Sequence, residues 1–161
     1  MINVRLATPE DEEFIATLSL EAARASISPW REAPREQIEA RARAWQEWGR
    51  SPDLQSVTLI AEDEQGQRLG YIVLILNTHD ELTGEPQGFV ADIAVAPGVQ
   101  RRGVGAALLR AAEDYVAGQG LPYLALSVSS FNAPALRLYQ RLGYQEEWKK
   151  LVKRLKGGRQ Q

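Results

Sequence analysis

The chain opens on Ile2-Asn3-Val4-Arg5-Leu6, where apolar and polar residues alternate with the period that a half-buried strand requires. Thr8-Pro9-Glu10-Asp11 reads as a helix start: a hydroxyl cap, a proline at the first helical position, then carboxylates at the positive end of the dipole. Phe14, Ile15, Leu18, Ala22 and Ala25 recur at helical spacing, which predicts a helix to about Ala25. The proline-bearing stretch from Ser26 to Pro34 predicts a loop. A second helix is predicted from Arg35 to Trp48, with Ile38, Ala42 and Trp45 on one core-facing stripe. Strands over Ser56–Ala61 and Gly70–Leu76 flank Asp63–Gln67, a polar segment with the glycine that a hairpin turn wants.

Asn77 to Gln87 predicts a polar loop, and Gly88 to Val95 a strand closed by Ala96-Pro97-Gly98. From about Gly103 to Ala117 a long helix carries Val104, Leu108, Ala111 and Tyr115 on one face, and Gly118-Gln119-Gly120 terminates it. Tyr123–Val128 predicts a strand, Ala133–Leu142 a short helix and Trp148–Leu155 a last strand. This order describes an α/β (α+β) chain built on one mixed sheet with helices on its faces.

Composition narrows the chemistry. A length of 161 residues suits one domain, and a charged fraction of 25% is that of an ordinary globular protein. The formal net charge of -2 argues against a duty dominated by attraction to nucleic-acid phosphates. Without cysteine there is no disulfide, thiolate nucleophile or Cys-based metal site. The one histidine, His79, excludes a His-rich metal centre and disfavours a Ser-His-Asp triad. No apolar signal core follows a basic start, and no apolar run reaches the roughly 20 residues of a membrane span. The expectation is a cytoplasmic chain that uses neither metal, nucleic acid nor membrane.

The informative stretch runs from Asp92 to Leu109: a strand, a turn containing Gly98, Arg101, Arg102 and Gly103, then a helix. The first turn of a helix leaves N–H groups unpaired, and its dipole attracts anions. Gly103 and Gly105 lack a Cβ, so a diphosphate can approach the backbone closely, and Arg101 and Arg102 add charge beside it. A dinucleotide fingerprint is incomplete, because Leu108 stands where its third small residue belongs, and no Walker A string is present. Close helix–sheet packing is the plainer explanation of the two glycines.

Gln100-Arg101-Arg102-Gly103-Val104-Gly105 resembles the Q/R-x-x-G-x-G/A signature of the GNAT N-acetyltransferase superfamily. Asn132 to Tyr144, with Ala135, Tyr139 and Gly143, is similar to that family's second signature, N-x-x-A-x-x-x-Y-x-x-x-G-F/Y. The resemblance is specific over Gly88 to Tyr144. It implies a mostly antiparallel sheet and acetyl-CoA as co-substrate, lying where the fourth and fifth strands splay apart. It implies backbone contacts to the pantetheine arm from Ile93, Ala94 and Val95, and pyrophosphate on the loop Gln100, Arg101, Arg102, Gly103, Val104, Gly105 and Ala106.

The resemblance also implies that Asn132 reaches the cofactor, although the same side chain suits an N-cap. It implies that Tyr139 both lies at the cofactor and protonates the departing CoA thiolate. The alternative for Tyr139 is a half-buried tyrosine facing the core beside Leu138 and Leu142.

For the base, many relatives carry a Glu where this chain has Phe89. Asp92 is the one ionisable residue within the strand, alternates away from Phe89, Ala91, Ile93 and Val95, and is the candidate; His79, Glu81 and Glu85 are further possibilities. Trp30 and Trp48 are candidates for an acceptor pocket. The basic run Lys149, Lys150, Lys153, Arg154, Lys156 and Arg159 could touch an acidic partner or keep a terminus soluble. The implied activity is acetyl transfer to a primary amine of a small molecule or protein, by direct attack in a ternary complex. The rival is a non-catalytic acyl-CoA sensor, and homodimerisation stays open.

Overall fold

A computed structural model describes residues 1–155. Five strands form one sheet in the order β1-β2-β3-β4-β5. These are β1 (Asn3–Leu6), β2 (Ser56–Glu62), β3 (Arg68–His79), β4 (Pro86–Val95) and β5 (Leu124–Leu126). The first three pairings are antiparallel and the last, β4 with β5, is parallel. Four α-helices cover the faces: α1 (Glu12–Ala25), α2 (Arg35–Gly49), α3 (Val104–Gly118) and α4 (Ala133–Arg141). The mixed, mostly antiparallel sheet flanked by helices is therefore present as expected.

Strand alternation divides the core. Leu59, Ala61, Ile72 and Leu74 pack with Val104, Leu108, Leu109, Ala112 and Val116 of α3, and Tyr139 of α4 joins them. Between them in sequence, Ile60 and Tyr71 turn the opposite way to meet Leu18 of α1, together with Ala94. Burying each such aliphatic side chain contributes about 1.5–3 kcal/mol, so the α3 face carries most of the hydrophobic stabilisation. α2 packs on α1 rather than on the sheet.

Four expectations need correction. β3 runs on to His79 and β4 begins at Pro86, so Thr78–Gln87 and His79–Pro86 pair where a longer loop was expected. Thr8-Pro9-Glu10-Asp11 forms a separate 3-10 turn, Pro9–Asp11, with α1 starting at Glu12. Trp45 is 45% exposed instead of core: Ala42 is the buried residue of α2, and the cover over its stripe does not extend to Trp45.

The last correction concerns Trp148–Leu155, which form no strand. Apolar residues at 148, 151, 152 and 155 do not alternate with period two, so either face of such a strand would mix apolar and basic groups. Trp148, Leu151 and Leu155 are exposed, and Arg154 meets Glu32 at 3.7 Å. Lys156 and Arg159 of the basic run lie outside the described residues. No helix among the described residues is long and apolar enough to cross a membrane.

Candidate active site

β4 and β5 pair only at Gly88–Leu124, Phe89–Ala125 and Val90–Leu126. Beyond that point the β5-facing edge of β4 is unpaired, and the strands diverge around a cleft of about 240 Å³. Ala91, Asp92 and Ile93 line it from β4, Ser127 to Ser129 from the chain beyond β5, and Asn132 and Tyr139 from the start and middle of α4. Ala94 and Val95 continue the same edge, with Ala94 buried under α1 and Val95 packed toward α3.

The loop after β4 prepares the other end. Gly98, Arg101 and Gly103 all have positive φ, at 85°, 67° and 82°. For Arg101 this is a left-handed conformation that an L side chain adopts at a cost. Such alternation can turn successive N–H groups toward one concave side. Among the described residues the amides of Gln100 to Ala106 have no backbone partner, and the first bond into α3 is from Ala107 N–H to the Gly103 carbonyl at 3.0 Å.

The two glycines separate into different roles. A Cβ on Gly103 would meet nothing within 4 Å, so its position calls for glycine through φ and leaves the space above it open. A Cβ on Gly105 would lie 3.1 Å from Leu138 Cδ2, so Gly105 permits close contact between α3 and α4. The packing explanation thus applies to Gly105 and not to Gly103. Val104 is 2% exposed, so only its backbone can face a ligand. Arg102 borders a separate hollow shared with Asp63 and Glu64 of the β2–β3 turn.

Asp92 is turned by a β-bulge. Val90 pairs with Leu74 and Asp92 with Val73, so Ala91 is an extra residue that reverses the alternation of β4. Before it, Val90 faces α3; after it, Ile93 and Val95 face α3 while Asp92 and Ala94 face α1. The expected single face of Phe89, Ala91, Ile93 and Val95 is thereby broken.

Asp92 Oδ2 accepts hydrogen bonds from Ser19 Oγ at 2.9 Å and from Tyr71 Oη at 2.6 Å. Burial pushes the carboxyl above its ordinary range, against the opposing pull of these two hydroxyls. Tyr71 is fully buried, and burial beside Asp92 holds its phenol protonated far above the usual tyrosine value. Ser19 and Tyr71 were not singled out by sequence. The signals the sequence carries are a serine beside Leu18 in the first helix and a tyrosine within the otherwise aliphatic run Tyr71–Leu76.

Tyr139 is 8% exposed, and burial raises its pKa. Its ring meets Tyr144 edge-on at 5.8 Å, and the Tyr144 hydroxyl donates to Glu113 Oε1 at 2.9 Å. The Tyr139 hydroxyl has no protein hydrogen-bond partner among the described residues, yet Tyr139 lines the cleft. Asn132 caps α4, its Oδ1 accepting from Ala135 N–H at 3.3 Å, and also lines the cleft. His79, Glu81 and Glu85 do not line it. Among the described residues no cluster of three or more His, Cys, Asp or Glu could hold a metal.

Comparisons with known proteins agree with this layout. Streptothricin acetyltransferase of Streptomyces lavendulae is 33% identical over 93 residues, which is 57% of this chain and 46% of that protein. Ribosomal protein bS18-alanine N-acetyltransferase of Escherichia coli K12 is 44% identical over 55 residues, or 34% of this chain and 37% of that protein. The chain thus spans about half or less of these curated relatives. A Pyrococcus furiosus protein described as an acetyl transferase shares the fold at a TM-score of 0.82, with 23% identity over 96% of this chain and 100% of that one. Aminoglycoside N-acetyltransferase AAC(6')-Iy in complex with CoA shares it at a TM-score of 0.65, with 21% identity over 96% and 99%. The model of the acetyltransferase (GNAT) family matches residues 10–144, and the chain belongs to that family.

Proposed function

We propose that the protein transfers the acetyl group of acetyl-CoA to a primary amine of a small molecule or protein, by direct attack in a ternary complex. The observation that carries this reading is the cleft itself. Asp92 and Tyr139, one proton acceptor and one proton donor, both line it, and β4 runs from there into the loop of unpaired amides at the head of α3.

Acetyl-CoA, the substrate, supplies an activated acetyl group on sulfur. The unpaired edge at Ile93, Ala94 and Val95 suits an amide-bearing arm lying as an added strand. The amides of Gln100 to Ala106 suit its pyrophosphate, with Arg101 and Arg102 adding charge. Asn132 serves as the helix cap and offers its remaining polar atoms to the cleft.

When the amine nitrogen bonds to the acetyl carbon and the carbon–sulfur bond breaks, one proton must leave nitrogen and one must reach sulfur. Asp92 suits the first, directly or through a water, because burial raises its pKa and makes it a better proton acceptor than an ordinary carboxylate. Tyr139 suits the second: a phenol raised by burial stays protonated until the thiolate forms.

Thermal shift tests the substrate assignment. Acetyl-CoA or CoA should raise the Tm by mass action, and NAD or ATP should do so less. Gly103→Asp tolerates the left-handed backbone but sets a carboxylate in the phosphate path, and should abolish the shift; Gly103→Asn should retain more of it. Unchanged CoA binding in Gly103→Asp would refute the phosphate assignment. CoA binding with no release of free thiol against a broad amine panel would make the protein a binding module.

A further inference from the structure

The bulge that turns Asp92 toward α1 leaves a backbone group to account for. Ala91, the extra residue, is set between the Val90–Leu74 and Asp92–Val73 pairs and has no partner of its own on β3. Its carbonyl oxygen accepts a hydrogen bond of 3.0 Å from the indole N–H of Trp45. Trp45 belongs to α2, which otherwise packs on α1 and not on the sheet. Its ring is 45% exposed and stacks on Trp48, itself 41% exposed, with centroids 4.6 Å apart. Burial alone does not explain an indole held half in solvent. The bond to Ala91 and the stack on Trp48 do.

We propose that Trp45 is a positioning residue for Asp92: its indole N–H clips the Ala91 carbonyl and so holds the bulge that aims the next residue's carboxylate at Ser19, Tyr71 and the cleft. The inference rests on the reading of Asp92 as the base. A bulge persists only while its unpaired groups are satisfied, and a slip of one residue would turn Asp92 to the α3 face, away from both hydroxyls. The clip therefore ties the placement of α2 to the orientation of the carboxylate.

The groups around Asp92 are few. α1 contributes the Ser19 hydroxyl, β3 the Tyr71 phenol, and α4 the Tyr139 phenol across the cleft. No charged side chain of the described residues makes an ion pair or hydrogen bond with it. Loosening the bulge removes the two hydroxyls that favour the ionised form, and the α3 face toward which the carboxylate would turn is apolar, so its pKa should rise further.

Trp45→Phe keeps a ring to stack on Trp48 and removes only the donor. It should lower kcat by about 3- to 10-fold, the effect of losing one modest hydrogen bond, with the KM for acetyl-CoA unchanged. The acid limb of the kcat/KM profile should move to higher pH. In an Asp92→Asn background the same substitution should have no further effect, because a residue acting through Asp92 has nothing left to position.

Parent kcat and an unmoved acid limb in Trp45→Phe, with Asp92→Asn slow, would overturn the role of Trp45 and leave the base assignment standing. An equal loss in both backgrounds would overturn it too, making Trp45 an independent acceptor contact. A lowered Tm with parent kcat would make it structural only. If Asp92→Asn were itself as fast as the parent, the base assignment would fall and this proposal with it.

Discussion

Two buried carboxylates sit at opposite ends of this molecule's chemistry. Asp11, fully buried after β1, accepts hydrogen bonds from Arg5 at 2.8 and 3.1 Å and from Arg68 at 2.6 Å. The Arg5 guanidinium holds it well below the usual carboxylate range, more than offsetting the effect of burial. Asp92 has two side-chain partners, both neutral hydroxyls, and burial raises its pKa. Guanidinium partners keep a carboxylate ionised well into acid and lower its proton affinity. Hydroxyl partners orient it while leaving its proton affinity high. Partner charge, rather than depth, separates Asp11 from the proposed base.

The sharpest way to break this contrast is Asp92→Asn. Loss of a general base should lower kcat/KM by about 10²–10⁴-fold, with the deficit shrinking at high pH where free amine is abundant. Stability should behave oppositely. A carboxyl whose pKa is raised by folding favours the native state while protonated, and that contribution is lost as pH rises through the native pKa. At pH 8 the ionised Asp92 therefore costs stability. Asparagine removes the charge and keeps an oxygen for Ser19 and Tyr71, so its Tm should equal or exceed the parent's. A lower Tm with full activity would place Asp92 among the structural acids.

Tyr139→Phe comes next. It preserves the edge contact with Tyr144 and should lower kcat at least tenfold while sparing acetyl-CoA affinity. The parent rate should climb as the acceptor amine deprotonates and decline only above about pH 10, since burial keeps the phenol protonated beyond its ordinary value. The variant should lack that decline. Full kcat with weak CoA binding would instead make Tyr139 a substrate contact.

The legible part of this fold was local. The α3 helix, its glycine start and the Asn132–Tyr144 segment each declare themselves within a few residues, because a cap, a turn or a motif needs only its neighbours. Asp92 was singled out because it interrupts an apolar strand, but its direction was not readable. Val90-Ala91-Asp92-Ile93 contains no glycine or proline to mark a bulge, which exists through pairing with β3 and contact with Trp45 from α2.

Trp45 itself looked like core because helical spacing shows which residues share a stripe, not how far the partner helix covers it. Asp11 looked like a helix-dipole residue because Arg68 lies on a strand 57 positions away. Each failure is one of long-range geometry acting on locally ambiguous residues.

The smallest expected effect completes the comparison. Asp11→Asn keeps size and some hydrogen bonding but leaves Arg5 and Arg68 facing a neutral group. Arg5 and Arg68 are 31% and 35% exposed, so solvent screens part of the loss, and about 1–3 kcal/mol is expected in place of the full cost of a sealed ion pair. For a chain of this size that is roughly 2–12 °C in Tm, with kcat/KM near that of the parent, because Asp11 does not line the cleft.

The sign with pH is the reverse of that at Asp92. A folded pKa depressed below the unfolded value of about 3.9 adds stability that is complete above that value and is lost as pH falls through the native pKa. Parent and Asp11→Asn should therefore differ by a constant amount from pH 5 to 8 and converge below about pH 4. Parent and Asp92→Asn should converge at higher pH than that, as pH falls through the raised native pKa toward about 4, with the parent the less stable protein at pH 8. Differential scanning calorimetry of the three proteins across that range would decide it. Parallel curves for Asp11→Asn down to pH 2 would mean that the carboxylate's charge contributes nothing and that its hydrogen bonds alone hold β1 to the turn.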